Sequence, residues 1–173
     1  MILAGGGITA CDYATRTVKM KRAPNRAAAR FHSSSWKGET MKKTYHGSCH
    51  CGDVRFECDL DLAQGTSRCN CSICTKARFW KAVIPAAGFR LLKGADRLTE
   101  YRFGSQSIGH KFCSRCGIKT FGRGHLEELG DFVAVNVVCL DDATVDEMLQ
   151  TPSRYEDGKH NNWDSRPAEI RHL

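Results

Sequence analysis

Gly47-Ser48-Cys49-His50-Cys51-Gly52 is a Cys-x-Cys turn closed by glycine, and two later stretches answer it. They are Cys69-Asn70-Cys71-Ser72-Ile73-Cys74 and Phe112-Cys113-Ser114-Arg115-Cys116-Gly117. Seventeen residues separate the first two clusters and thirty-eight the last two. Such short spacings let two sulfurs reach one ion from one tight turn. Zinc holds thiolates at about 2.3 Å in a tetrahedron, so a closed site takes two such turns. Seven sulfurs divide into four, enough to close a structural site, and three, which leave a position open as in catalytic zinc sites. A lone cysteine is commonly a small buried hydrophobe, but that does not account for seven at these spacings. Adjacent Cys-x-Cys and Cys-x-x-Cys pairs also make poor disulfide architecture.

Outward from the clusters, the chain from Thr44 reads as short strands and turns. Val54, Phe56 and Cys58 alternate with Arg55 and Glu57, a half-buried strand in which Cys58 belongs to the core. Ala82-Val83-Ile84 is a short apolar run stopped by Pro85. Phe89 to Leu92, Leu98 to Phe103 and Ile108 to Phe112 are further strand segments. The strongest is Phe132 to Val138, with Val133, Val135 and Val137 on one face and Cys139 beside them in the core. Helix signals are few: a turn or two from Ser72 to Phe79, and Ala143 to Gln150 capped by Asp142. Tyr155 to Leu173 reads as an irregular segment packed over the sheet by Tyr155 and Trp163. The fold class is mainly β, with short strands, many turns and few short helices.

The 173 residues divide into a basic leader, 1–40, and one domain, 41–173. The leader holds seven Lys/Arg against two Asp/Glu, and the rest nineteen against seventeen, so most of the +7 charge lies in the leader. The domain's balance therefore gives little support for nucleic-acid binding. Residues 1–40 lack sustained periodicity and read as disordered, or as an extension upstream of a start at Met41. Their Arg- and Ser-rich, acid-poor composition also fits an organellar transit peptide. No run of about 18 apolar residues spans a membrane. Ten cysteines without a secretory apolar core point to a reducing compartment, read here as cytoplasmic.

The residues leave two pairings open. Cys49 and Cys51 can join Cys113 and Cys116, clipping the first strand to a late one, with Cys69, Cys71 and Cys74 sharing a second ion. Alternatively Cys71 and Cys74 join Cys113 and Cys116 in a double Cys-x-x-Cys ribbon. In the first pairing the three-thiolate zinc is a poor Lewis acid but accepts a fourth soft ligand, such as a substrate thiol, activated for attack on a small aldehyde. A fourth protein ligand would instead close the site; His50, His110, Cys58 and Cys139 are the candidates. Arg68, Lys76, Arg78 and Lys81 lie near the central cluster in sequence and suit an anionic thiol such as glutathione, or else form a solvated face. Phe79 and Trp80 fit core positions. No phosphate loop, dinucleotide fingerprint or Ser-His-Asp order is present.

The three cysteine blocks, the turn before Leu98-Thr99-Glu100-Tyr101 and the Val135-Asn136 strand together resemble the glutathione-dependent formaldehyde-activating enzyme family, which includes a centromere protein V branch. The resemblance covers about residues 44–140. It implies two twisted antiparallel sheets, like the Rab-exchange-factor (Mss-type) chaperones. It also implies two zinc ions per chain, a structural one on Cys49, Cys51, Cys113 and Cys116 and a second on Cys69, Cys71 and Cys74. The implied activity is a carbon–sulfur lyase that forms and cleaves S-hydroxymethylglutathione, with the central cysteines at the catalytic site. Ala77-Arg78 departs from the glycine common in the family after the central cluster. The alternative is a zinc-stabilised module that contacts nucleic acid or a protein partner without catalysis.

Overall fold

Alternating burial begins as soon as the basic stretch ends. The computed structural model describes residues 42–127 and 129–173; the expectations for residues 1–40 lie outside these. Strands β1 (Lys43–Ser48), β2 (Arg55–Leu60) and β5 (Phe89–Lys93) form a three-stranded antiparallel sheet in the order β1-β2-β5. The other strands are β3 (Thr66–Cys69), β4 (Trp80–Pro85), β6 (Leu98–Tyr101), β7 (Ile108–Cys113), β8 (Lys119–Leu126), β9 (Gly130–Asn136) and β10 (Ser153–Glu156). They form a seven-stranded sheet in the order β10-β3-β4-β9-β8-β7-β6. Among the described residues two short α-helices complete the domain, α1 (Ser72–Ala77) and α2 (Val145–Gln150). The expected mainly-β, two-sheet architecture is present. It departs from all-antiparallel pairing at one edge, where β10 runs parallel to β3.

The core lies between the sheets. Phe56 of β2 and Phe89 of β5 stack at 5.3 Å, and Phe121 of β8 meets Phe89 at 4.5 Å from the other sheet. Val133 and Val135 of β9, Trp80, Ala82 and Ile84 of β4, and Cys58 and Cys139 join them. Each large side chain so placed contributes about 2–3 kcal/mol relative to exposure. The far face of β9 is also covered: Phe132 and Ala134 pack with Cys69, Cys74 and Phe79 in a second cluster. A strand buried on both faces reads as a nearly continuous apolar run, which is why 132–138 carries the strongest signal. The strand itself ends at Asn136; Val137–Cys139 form a 3-10 turn that leaves Val138 exposed.

The structure corrects two expectations and adds one strand. The cap of α2 is Thr144, not Asp142: Thr144 Oγ1 accepts from Glu147 N (3.1 Å) and Glu147 Oε2 accepts from Thr144 N (2.7 Å), a capping box. Asp142 instead accepts from His46 N at 3.0 Å. The end of the chain begins with a regular strand, β10, and Trp163 is half exposed. Strand β8, inside the seven-stranded sheet, has no counterpart among the strand segments read from the sequence. Gly122, Arg123, Gly124 and His125 dilute its pattern, and its place between β7 and β9 supplies what local propensity lacks.

Candidate metal and thiol site

Gly52 and Gly117 close the two outer knuckles with φ of 73° and 74°, a region L side chains rarely adopt. Gly52 N donates to Cys49 O at 3.0 Å and Gly117 N to Cys113 O at 2.9 Å, so each turn doubles back and aims its sulfurs at the other. The Sγ atoms of Cys49, Cys51, Cys113 and Cys116 lie within 4.8 Å of one another. Cys51 Sγ is 3.5 Å from Cys49 Sγ and 3.7 Å from Cys113 Sγ. A tetrahedron with zinc–sulfur bonds of about 2.3 Å has edges of about 3.8 Å, whereas a disulfide needs about 2.0 Å. The spacing and the all-sulfur donor set therefore fit a zinc-like ion. Cys49 and Cys113 are buried against Val54. Burial opposes ionisation of Cys49, but the N–H of Val54, 3.3 Å from its Sγ, and neighbouring thiols bring its pKa down. The Arg115–Asp53 ion pair (3.3 Å) bridges the two exposed turns.

The second set is Cys69, Cys71 and Cys74, whose sulfurs also lie within 4.8 Å of one another. Cys69 ends β3, Cys71 is the N-cap of α1, and Cys74 lies in the helix. Thiol hydrogen bonds from Cys69 and Cys74 hold the Cys71 pKa down, assisted by the N–H groups of Cys74 and Ile73. Among the described residues no fourth ligand joins this set. Of the four proposed closers, Cys58 and Cys139 are in the core between the sheets. His110 lies near the set but turns its Nδ1 to Lys119 Nζ at 3.0 Å, and His50 is exposed beside the outer set. The alternative pairing of Cys71 and Cys74 with Cys113 and Cys116 does not occur: the chain brings each later cysteine to the partner four-set or three-set named above.

Three features around the central set were not read from the sequence. Lys119, the first residue of β8, places Nζ 3.0 Å from His110 Nδ1 and 3.7 Å from the Phe79 ring centre. Burial lowers the Lys119 pKa, while the Cys74, Cys71 and Cys69 sulfurs raise it. Burial and the Lys119 charge push His110 down to about 4, so at neutral pH it is an uncharged acceptor for the Lys119 ammonium. Lys81, by contrast, is paired with Glu156.

Asn70, inside the central cluster, is the second. Its Nδ2 donates to Asp157 Oδ1 (2.5 Å) and its Oδ1 accepts from Lys159 N (2.8 Å), which pins the segment after β10 across the cluster. Gly158, the third, is seated there. A Cβ at this position would lie 2.6 Å from Cys69 Sγ and 2.6 Å from the Trp163 ring. We expect Gly158→Ala to displace Cys69 at an overpacking cost of about 1–3 kcal/mol. Metal analysis should then find the central set depleted and the four-cysteine set retained; full occupancy of both would refute this placement.

Beside Cys69 and Cys74 a narrow cleft is lined by Arg68, Thr75, Arg78, Phe79 and Leu173. Of the four basic residues near the cluster, Arg68 and Arg78 thus reach it, and Lys76 is exposed. A family model described as glutathione-dependent formaldehyde-activating enzyme matches residues 44–156. The chain belongs to that family. The match contains all seven clustered cysteines together with Lys119 and His110, and it ends before Gly158. A crystal structure of a Rhodobacter sphaeroides protein, a structural genomics target, is similar at 31% identity with a TM-score of 0.55, covering 63% of this chain and 99% of that one. No helix among the described residues is long and apolar enough to cross a membrane.

Proposed function

We propose that the domain joins a low-molecular-weight thiol, glutathione above all, to a small aldehyde such as formaldehyde, and runs the reverse cleavage. The observation that carries this reading is a three-sulfur set with no fourth ligand among the described residues, set beside a cleft lined by two arginines. Cys69, Cys71 and Cys74 would hold zinc there, and Cys49, Cys51, Cys113 and Cys116 a second, structural zinc. When bound, zinc with three thiolates supplies an open position that favours the deprotonated form of an incoming thiol.

The chain's own residues do the rest. Arg68 and Arg78 attract the carboxylates of an anionic thiol. Phe79 and the buried face of β9 exclude water on one side. Lys119, oriented by His110, supplies positive charge near the sulfurs. In the addition, a sulfur lone pair forms the S–C bond and the carbonyl π pair moves to oxygen. That oxygen takes up a proton equivalent to the one the thiol gave up, so R–SH and CH2O become R–S–CH2OH. Orientation contributes more than Lewis acidity, since three thiolates leave the ion little charge to withdraw electrons.

The test is exchange among glutathione, formaldehyde and the adduct, followed by NMR. Wild-type protein should accelerate exchange over buffer and Cys71→Ser should not. Equal rates for wild type, mutant and buffer would reject catalysis and leave the zinc-stabilised binding module as the better account.

A further inference from the structure

Arg78 stands where α1 ends, with φ 48° and ψ 43°, a left-handed conformation that glycine takes without cost and arginine does not. The side chain has a definite partner: its Nη1 donates to the carbonyl oxygen of His172. Leu173 follows and lines the same cleft as Cys69 and Cys74, which is left with room for about one water. The residues after β10 thus cross the central cluster twice. Asn70 fixes the near crossing at Asp157 and Lys159. At the far crossing Arg78 ties the backbone at His172, and a turn from Leu173 N to Ile170 O (2.9 Å) shapes it. The family match stops at residue 156, so this cover is built from sequence beyond it.

We propose that residues 170–173 are a displaceable cover that makes the central site selective for thiols bearing a carboxylate. The proposal rests on the reading of the central cluster as a thiol site. A cleft of this size admits no tripeptide while the cover is down. Arg78 holds it by a hydrogen bond to a neutral carbonyl, and a carboxylate is the stronger acceptor for guanidinium, able to take two parallel N–H bonds. A carboxylate-bearing thiol entering beside Cys69 and Cys74 exchanges the His172 carbonyl for its own carboxylate at Arg78, and the cover lifts. A thiol without a carboxylate has nothing to offer Arg78 and must open the cover unaided.

Hydrogen exchange of the metal-loaded full chain, read at residues 168–173, tests it with three samples: protein alone, with glutathione, and with cysteamine, a thiol lacking a carboxylate. Glutathione should speed exchange of the Leu173 amide in wild type at concentrations about tenfold below those cysteamine requires, the scale of one charge-assisted hydrogen bond. Arg78→Gly, which suits the left-handed backbone and keeps the fold, should exchange rapidly at these residues without any thiol and bind the two thiols within about twofold of each other. If Arg78→Gly leaves the exchange of 168–173 unchanged, the latch is overturned whatever the thiol does. If glutathione perturbs a cobalt-substituted central site while the exchange of 168–173 stays constant, the cover is overturned and the thiol site stands. If neither thiol perturbs that site, the thiol-site reading falls and the selectivity falls with it.

Discussion

Cys113→Ser should unfold or severely destabilise the domain, whereas Cys71→Ser should leave it folded. The four-cysteine set joins the turn between β1 and β2, which belong to the three-stranded sheet, to the turn between β7 and β8 in the seven-stranded one. An ion there would clip the sheets at one end, and structural zinc binding is folding free energy. Cys113 is fully buried, so serine leaves a buried hydroxyl as well as a weakened site. We expect a loss of about 4 kcal/mol or more, the range of metal or core defects, and a fall of roughly 15 °C in the thermal midpoint for a domain of this size. Cys71 is partly exposed at the N-cap of a six-residue helix and carries little of the core. Its serine variant should melt within a few degrees of wild type and retain about one zinc by elemental analysis, against about two for wild type. Equal midpoints for the two variants would remove this division of labour.

Lys119→Met should loosen the central metal while sparing the fold. The Lys119 ammonium is sunk beside Phe79 and His110, and among the described residues no carboxylate pairs with it. A buried charge of this kind needs an opposite charge, and the sulfurs that act on it are those of Cys74, Cys71 and Cys69. Two unit charges about 5 Å apart at an effective dielectric of about 20 interact by roughly 3 kcal/mol, or about a hundredfold in affinity. Chelator competition on the zinc-loaded protein should show the central ion released at much lower chelator in Lys119→Met, with the four-cysteine ion unchanged. Lys119→Arg should recover part of the loss by restoring the charge. His110→Gln, which still offers an acceptor, should have a small effect. Unchanged central affinity in Lys119→Met would assign the lysine a packing role only.

Much of this site is legible because metal ligands are chemically scarce and their spacing is local. Cys49 and Cys51, or Cys113 and Cys116, announce half-sites within three or four residues, and the glycine that follows each pair marks a turn needing positive φ. The alternating Phe56, Cys58 and the valines of 133–137 likewise announce burial through a period that belongs to the strand itself. Strand β8 is not legible locally because its stability comes from neighbours on both sides, not from its own Gly-rich composition. The cap of α2 is ambiguous locally because Asp142 and Thr144 are both competent caps by sequence, and in the fold Asp142 is taken up by His46, ninety-six residues away.

Local spacing and periodicity are enough to show that seven sulfurs fall into short-range groups, that the domain is built from short strands, and which family its blocks belong to. Which groups share a site emerges in three dimensions, because pairing across 62 residues depends on where β7 returns beside the first hairpin. The fold also decides what surrounds the central cysteines. Lys119 and Gly158 carry no motif, and Arg78 shows in the sequence only as a nearby charge in place of a glycine; their roles arise from long-range approach: a cation brought beside thiols, a missing Cβ against Cys69, and a guanidinium meeting a carbonyl 94 residues away. Spacing rules act along the chain, whereas charge compensation and close contact act through space.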